Sequence, residues 1–251
     1  MTIETILSPL ELPALAGSDL RGTGCVIFDV LRATSAFVTA LHNGAADIIP
    51  VAEIAEAVAL RKSNPQFLLA GERDGVRIRA AQSGGTDFDH GNSPREFAPD
   101  TVRGKTIVST TTNGTRALKA CAGAETILAS SFLNIAVTAD FLRGKNAEKL
   151  LLVCAGTGND VALEDVLAAG AMIELITARK DVRPIISDSS RIAQDLFERL
   201  KPDLAAAIAA SKNGRRLLSI PELREDVAFC AQSDVFSLVA RMDANGRLRR
   251  V

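Results

Sequence analysis

The stretch Lys105–Arg116, KTIVSTTTNGTR, decides the fold. Thr106, Ile107 and Val108 read as a buried strand, which breaks into the polar run Thr110–Thr115 before a helical run from Arg116 to Cys121. A strand that turns through a polar corner into a helix is the repeating unit of an α/β protein. The corner brings Thr111, Thr112, Asn113, Gly114 and Thr115 to the place where free backbone N–H groups meet the positive end of a helix dipole. Arg116 adds a planar cationic fork just inside the helix. Such a corner suits a phosphate or another tetrahedral oxyanion. It also suits a plainer reading, a threonine-rich turn that caps its own helix.

The same grammar runs outward in both directions. Gly24–Val30 reads as a buried strand, with a helix over Ala33–His42 stopped by Asn43-Gly44. A short strand follows at Asp47–Val51, a helix at Glu53–Lys62, a strand at Phe67–Ala70, and an irregular segment through Pro99. Beyond the central stretch come a strand over 125–129, a helix over 132–142, a strand over 149–154 and a long helix over about 160–178. The last third reads as mostly helical, clearest at Ser189–Leu200 and Leu204–Ser211, with a pairing element at Val235–Ala240. Apolar strands flanked by glycine, with helices between, predict a three-layer α/β/α fold around a largely parallel or mixed sheet. Gly44-Ala45 before Ile48-Ile49 matches Gly123-Ala124 before Ile127-Leu128. The whole chain, 1–251, is taken as one domain, with two similar halves of about 1–100 and 101–251 as the alternative organisation.

Composition narrows the function. A formal net charge of -1 and the absence of Trp and Tyr argue against nucleic acid as a partner. No apolar run approaches the ~20 residues of a membrane span, and the N-terminus lacks the basic-then-apolar pattern of a leader, so a cytoplasmic protein is expected. Cys25, Cys121, Cys154 and Cys230 stand singly, and His42 and His90 are far apart, which disfavours a zinc site. Monomer and homo-oligomer both remain open.

In open α/β sheets ligands bind beyond the carboxyl ends of strands, so the other polar corners matter. The first holds Asp29, Arg32 and Thr34; the second Glu72-Arg73; the third His90, Asn92 and Ser93; the fifth Ser131 and Asn134; the sixth Gly156–Asp160, leading to Glu164-Asp165. Asp29 is costly to bury without a cation or donors, although a capping Asp paired with Arg32 would also satisfy it. Glu72-Arg73 alone reads equally well as a solvated turn. Gly156-x-Gly158 is half a dinucleotide fingerprint, but Val161 stands where the third glycine belongs, so that reading fails.

DVLRATS, HNGA, AGERDG, GNSP, TTTNGTRAL, SFLN, CAG followed by ALEDVLAAG, and DVAFCAQ follow one another in this order. The combination resembles the 2-phosphosulfolactate phosphatases, the ComB-like family, over residues 25 to about 235. The resemblance implies a three-layer α/β fold and a Mg²⁺-dependent hydrolase that removes phosphate from 2-phospho-3-sulfolactate, a step known in coenzyme M biosynthesis. One departure stands out: Ile78–His90, IRAAQSGGTDFDH, is longer than the compact Gly-Phe-Asp stretch expected before GNSP.

A small substrate bearing phosphate, sulfonate and carboxylate needs several cationic or N–H-rich subsites. Arg32, Arg73 and Arg116 are the expected cations, with Thr34, Asn92, Ser93, the Thr111–Thr115 corner and Asn134 as further donors. Mg²⁺ takes oxygen ligands, commonly one or two carboxylates with water and phosphate. Asp29, Glu72, Glu164 and Asp165 are the candidate ligands; the adjacent Glu164 and Asp165 point about 100° apart on a helix, so one of them is expected to face the site. Asp29 or Asp165 is expected to orient the attacking water, with Asp29, Arg32, Arg73 and Asp165 as the catalytic set. An aspartyl-phosphate through Asp29 is the competing mechanism, and a phosphatase for another small phospho-hydroxy acid or a non-catalytic binder of phosphorylated metabolites are the alternative functions.

Overall fold

In the computed structural model, residues 1–145, 147–178 and 183–251 are described. They form one sheet of eleven strands. In chain order these are β1 Thr2–Ile6, β2 Thr23–Phe28, β3 Asp47–Pro50, β4 Leu68–Arg73, β5 Val76–Arg77, β6 Thr106–Thr110, β7 Thr126–Ser130, β8 Lys149–Cys154, β9 Ile185–Ile186, β10 Ala240–Met242 and β11 Leu248–Arg250. Their order across the sheet is β5-β4-β6-β3-β11-β10-β7-β2-β8-β1-β9.

Every residue of β2 is buried, as the unbroken apolar run Gly24–Phe28 requires of a strand covered on both faces. Side chains alternate along it. Cys25 and Ile27 enter one core with the helices Ala33–His42 and Gly114–Ala120. Val26 and Phe28 enter the other, with Ile135–Arg143 and Leu163–Thr177. Helices therefore cover both faces, and the fold is α/β in three layers.

The sheet is mixed. The strands β4, β6 and β3 form one parallel block, and β7, β2, β8, β1 and β9 a second. The hairpin β10–β11 lies between them and is antiparallel to both. Three successive antiparallel pairings oppose the local strand directions of the two blocks. Two crossovers exchange chain between them: β2 reaches β3 through the helix Ala33–His42, and β6 reaches β7 through the helix Gly114–Ala120. The Gly-Ala…Ile pattern seen twice in the sequence closes these two crossovers, with Gly44 at φ 95° and Gly123 at φ 101°.

Besides the short strands β5, β9 and β11, to which the sequence assigned no element, two elements differ from expectation. The N-terminal TIETI, to which the sequence assigned no element, is β1 and pairs with β8 through Thr2↔Lys149 to Ile6↔Val153. Five residues with only two apolar positions carry little periodicity, and the pairing partner is remote in sequence. The predicted pairing element Val235–Ala240 meets strand only at Ala240; the segment before it covers the corner after β7, where Asp234 and Phe236 N–H groups donate to Phe132 and Leu133 carbonyls.

Candidate active site

The two crossover helices begin against one another. A Cβ on Gly114 would stand 2.7 Å from Ala33 Cβ and 2.8 Å from Asp29 Oδ2, so only glycine permits this approach. The corners after β2, β4, β6 and β8 consequently open into one cavity of about 380 Å³. Asp29, Arg32, Glu72, Asn92, Thr112, Asn113 and the turn Gly156–Asp160 line it.

Asp29 is buried at the end of β2, and its Oδ1 accepts the Ala33 N–H at 3.1 Å. Thr34 Oγ1 in turn accepts the Asp29 N–H at 3.1 Å. Burial pushes the Asp29 carboxyl up to about 7, and the Glu72 and Glu164 charges add to the effect. Glu72 is held from two sides: Oε1 accepts from the Thr112 N–H at 2.9 Å and hydroxyl at 2.8 Å, and Oε2 from the Gly75 N–H at 2.7 Å. Asn113 Nδ2 donates to the Gly156 carbonyl, and Asn113 Oδ1 is buried without a partner among the described residues.

Several expected donors are already engaged by the chain. The Ala33 and Thr34 N–H groups go to Asp29, and the Thr115 N–H goes to Thr111 Oγ1 at 3.3 Å while the Thr115 hydroxyl donates to the Thr111 carbonyl. Both helix starts are thus capped from within, the plainer of the two readings of such a corner.

Arg32 reaches the cavity wall with its guanidinium committed. Its Nη1 donates to buried Asp226 at 2.8 Å and its Nη2 to the Gly75 carbonyl at 2.6 Å. The Leu31–Arg32 peptide is cis. Ser93 donates to the other Asp226 oxygen at 2.7 Å and so braces this pair instead of lining the cavity.

Four expectations need correcting. Arg73 does not line the cavity: it follows Glu72 on β4, alternation turns it to the opposite side, and it donates to Thr110 Oγ1 and the Ala52 carbonyl. Arg116 is exposed outside the cavity, because successive residues in the first helical turn fan out by about 100°. Asn134 is an internal brace, accepting the Ser131 N–H and donating to the Leu238 carbonyl, because the chain at 234–239 closes that corner. Asp165 uses both oxygens structurally, accepting the Val30 N–H at 2.8 Å and the Gly156 N–H at 3.0 Å, which ties the corners after β2 and β8 together. Burial pushes Asp165 well up, with Glu164 and Asp29 adding to it, and the two N–H groups oppose the shift.

Glu164 lies behind the cavity wall. Its Oε1 accepts from Asn213 at 2.6 Å, and its Oε2 is buried without a partner among the described residues. Burial raises its carboxyl as well. An oxygen-only donor set of clustered acids, with buried oxygens left over, fits a hard cation such as Mg²⁺. Among the described residues no three His, Cys, Asp or Glu side chains enclose a metal by themselves, so part of such an ion's shell would come from water and substrate.

Sequence reading missed Asp226 and the helix Lys212–Leu218, whose Lys212, Asn213 and Arg216 also line the cavity. The signal for the helix was the basic run KNGRR after Ser211, an N-cap whose Oγ accepts the Gly214 N–H at 2.9 Å.

Strand-end corners from both blocks, converging on one acid-and-base-lined cavity, mark an α/β protein built to receive a small, highly charged ligand. Among the described residues no helix is long and apolar enough to cross a membrane. The model of the 2-phosphosulpholactate phosphatase family matches residues 12–245, and the chain belongs to that family, which makes it a phosphoric monoester hydrolase. It is 39% identical over 235 residues to a probable 2-phosphosulfolactate phosphatase of Caldanaerobacter subterraneus, covering 92% of each chain. A protein of the same name from Thermotoga petrophila is 41% identical, over 85% of this chain and 86% of its own. Another, from Carboxydothermus hydrogenoformans, is 36% identical over 95% and 92%.

Proposed function

We propose that the protein hydrolyses 2-phospho-3-sulfolactate to 3-sulfolactate and phosphate with the help of Mg²⁺. The observation that carries this reading is the meeting of Asp29 and Glu72, from different parallel blocks, at one cavity beside the abutting crossover helices. Asp29 and Glu72 would hold the ion, with Glu164 contributing negative charge from behind. When bound, Mg²⁺ neutralises charge on the phosphoryl oxygens.

The chain's own part is positioning. Thr112 and Gly75 fix both oxygens of Glu72, and Ala33 fixes Oδ1 of Asp29. Asp29 orients a water for in-line attack at phosphorus. The new bond forms from the water oxygen, the ester P–O bond breaks, and the proton that the attacking water gives up passes to the leaving alkoxide. Asp165 keeps the two corners in register without touching the reacting atoms.

The test is a screen of phosphorylated hydroxy acids with Mg²⁺ and with EDTA. The expected result is phosphate release from 2-phospho-3-sulfolactate that EDTA abolishes and Mg²⁺ restores. Release that is indifferent to EDTA sinks the metal, and no release from this ester sinks the substrate. Turnover of the ester with an isotopically chiral phosphoryl group distinguishes direct attack, which inverts the configuration at phosphorus, from an aspartyl-phosphate, whose two displacements retain it.

A further inference from the structure

Among the described residues the basic side chains lining the cavity are Arg32, Lys212 and Arg216, against the carboxylates Asp29, Glu72, Asp74 and Asp160. A polyanion entering here needs cations that can turn to it. Arg32 is closed off by Asp226 and the Gly75 carbonyl. Lys212 and Arg216 remain, four residues apart and therefore on one face of their helix.

Both are exposed and loosely held. Lys212 pairs with Asp160 at 2.6 Å, but the two side chains are 62% and 65% exposed, so solvent screens the pair and an incoming anion can replace Asp160. Arg216 donates through Nη2 to the Asp74 carbonyl and has further N–H groups to spare. Nitrogens of Arg32 and Arg216 each lie 4.0 Å from where a Cβ on Gly75 would stand, so two guanidinium groups flank a residue without a side chain. The backbone that carries them is anchored. Asn213, between the two cations, donates to Thr157 Oγ1 and to Glu164 Oε1, each at 2.6 Å, pinning the helix to the turn after β8.

We infer that Lys212 and Arg216, over the Gly75 turn, form a second anion subsite that receives the carboxylate–sulfonate end of the substrate, away from the phosphate. The inference rests on the phosphatase reading for its substrate and adds the residues that select an ester of an acidic alcohol. A planar guanidinium suits a carboxylate or sulfonate through paired hydrogen bonds, and an ammonium supplies a mobile point charge.

The test is calorimetric binding of 3-sulfolactate, which carries both acidic groups and no phosphate, in the presence of Mg²⁺. Lys212→Met and Arg216→Met are each expected to raise Kd about 10-fold or more, the loss of a charge-assisted contact. Lys212→Arg should keep Kd within about 3-fold, since it retains the charge. Asp160→Asn has the opposite expected sign, because it frees Lys212 and tightens binding. Unchanged Kd in both methionine variants overturns the inference, as does absence of saturable binding to the wild type. So does weakening by Asp160→Asn equal to that of Lys212→Met, which would mean that the ion pair merely supports the helix. Release of phosphate from 2-phospho-3-sulfolactate by the wild type, read separately, reports on the phosphatase reading alone.

Discussion

Replacement of Asp226 by alanine should destabilise the protein severely. Asp226 is wholly buried, and its partner Arg32 is only 3% exposed. One oxygen accepts from Arg32 at 2.8 Å; the other accepts from Ser93 at 2.7 Å and lies 3.5 Å from Arg95 Nη1. Removing the carboxylate strands a guanidinium inside the protein, at a cost of about 3–5 kcal/mol. For a chain of this size each kcal/mol lowers the melting temperature by about 2–4 °C, so the fall should be roughly 6–20 °C. Removing both charges is a different matter. Arg32→Met with Asp226→Leu fills the space with apolar atoms and leaves no lone charge, so it should recover most of the loss. Thermal and urea melts followed by circular dichroism read both effects. A single variant melting within about 2 °C of the wild type, or a double variant no better than the single, would refute the account of Arg32 as a buried, fully compensated cation.

Three further outcomes are expected. Gly114→Ala should force the crossover helices apart at Ala33 and Asp29, costing about 1–3 kcal/mol of stability and lowering kcat about 10²-fold through misplacement of Asp29; unchanged steady-state kinetics would contradict the close approach. Asp165→Asn puts an amide donor against the Val30 or Gly156 N–H and should cost about 1–3 kcal/mol; a variant that melts normally yet turns nothing over would instead make Asp165 a catalytic group. Burial lowers the His90 pKa from 6.5, against the Glu96 and Asp89 charges that favour the cation. Below pH 6.5 the unfolded chain therefore takes up a proton that the folded chain resists, and stability falls as pH drops. His90→Gln should remove that component, so the difference in melting temperature between wild type and variant shifts in the variant's favour from pH 7.5 to 5.5; a constant difference would count against it.

The amino-acid sequence by itself determined the strands and the class of fold. Runs such as Gly24–Phe28 and Leu150–Cys154 are apolar at successive positions, and only a strand covered on both faces buries such a run efficiently. It also located the corners that supply Asp29, Glu72, Asn92, Thr112 and Asn113, because polar residues at strand ends are local features. Tertiary structure alone decided which of those polar groups are free. Arg32 finds its counter-charge 194 residues away and Asp165 its first N–H donor 135 residues away. Periodicity shows which face of an element is buried, but the element lying against that face depends on packing summed over the whole chain. For the same reason Arg116 and Arg73, cationic and well placed in sequence, point away from the cavity, while Lys212 and Arg216 reach it from a helix with no strand-end corner of its own.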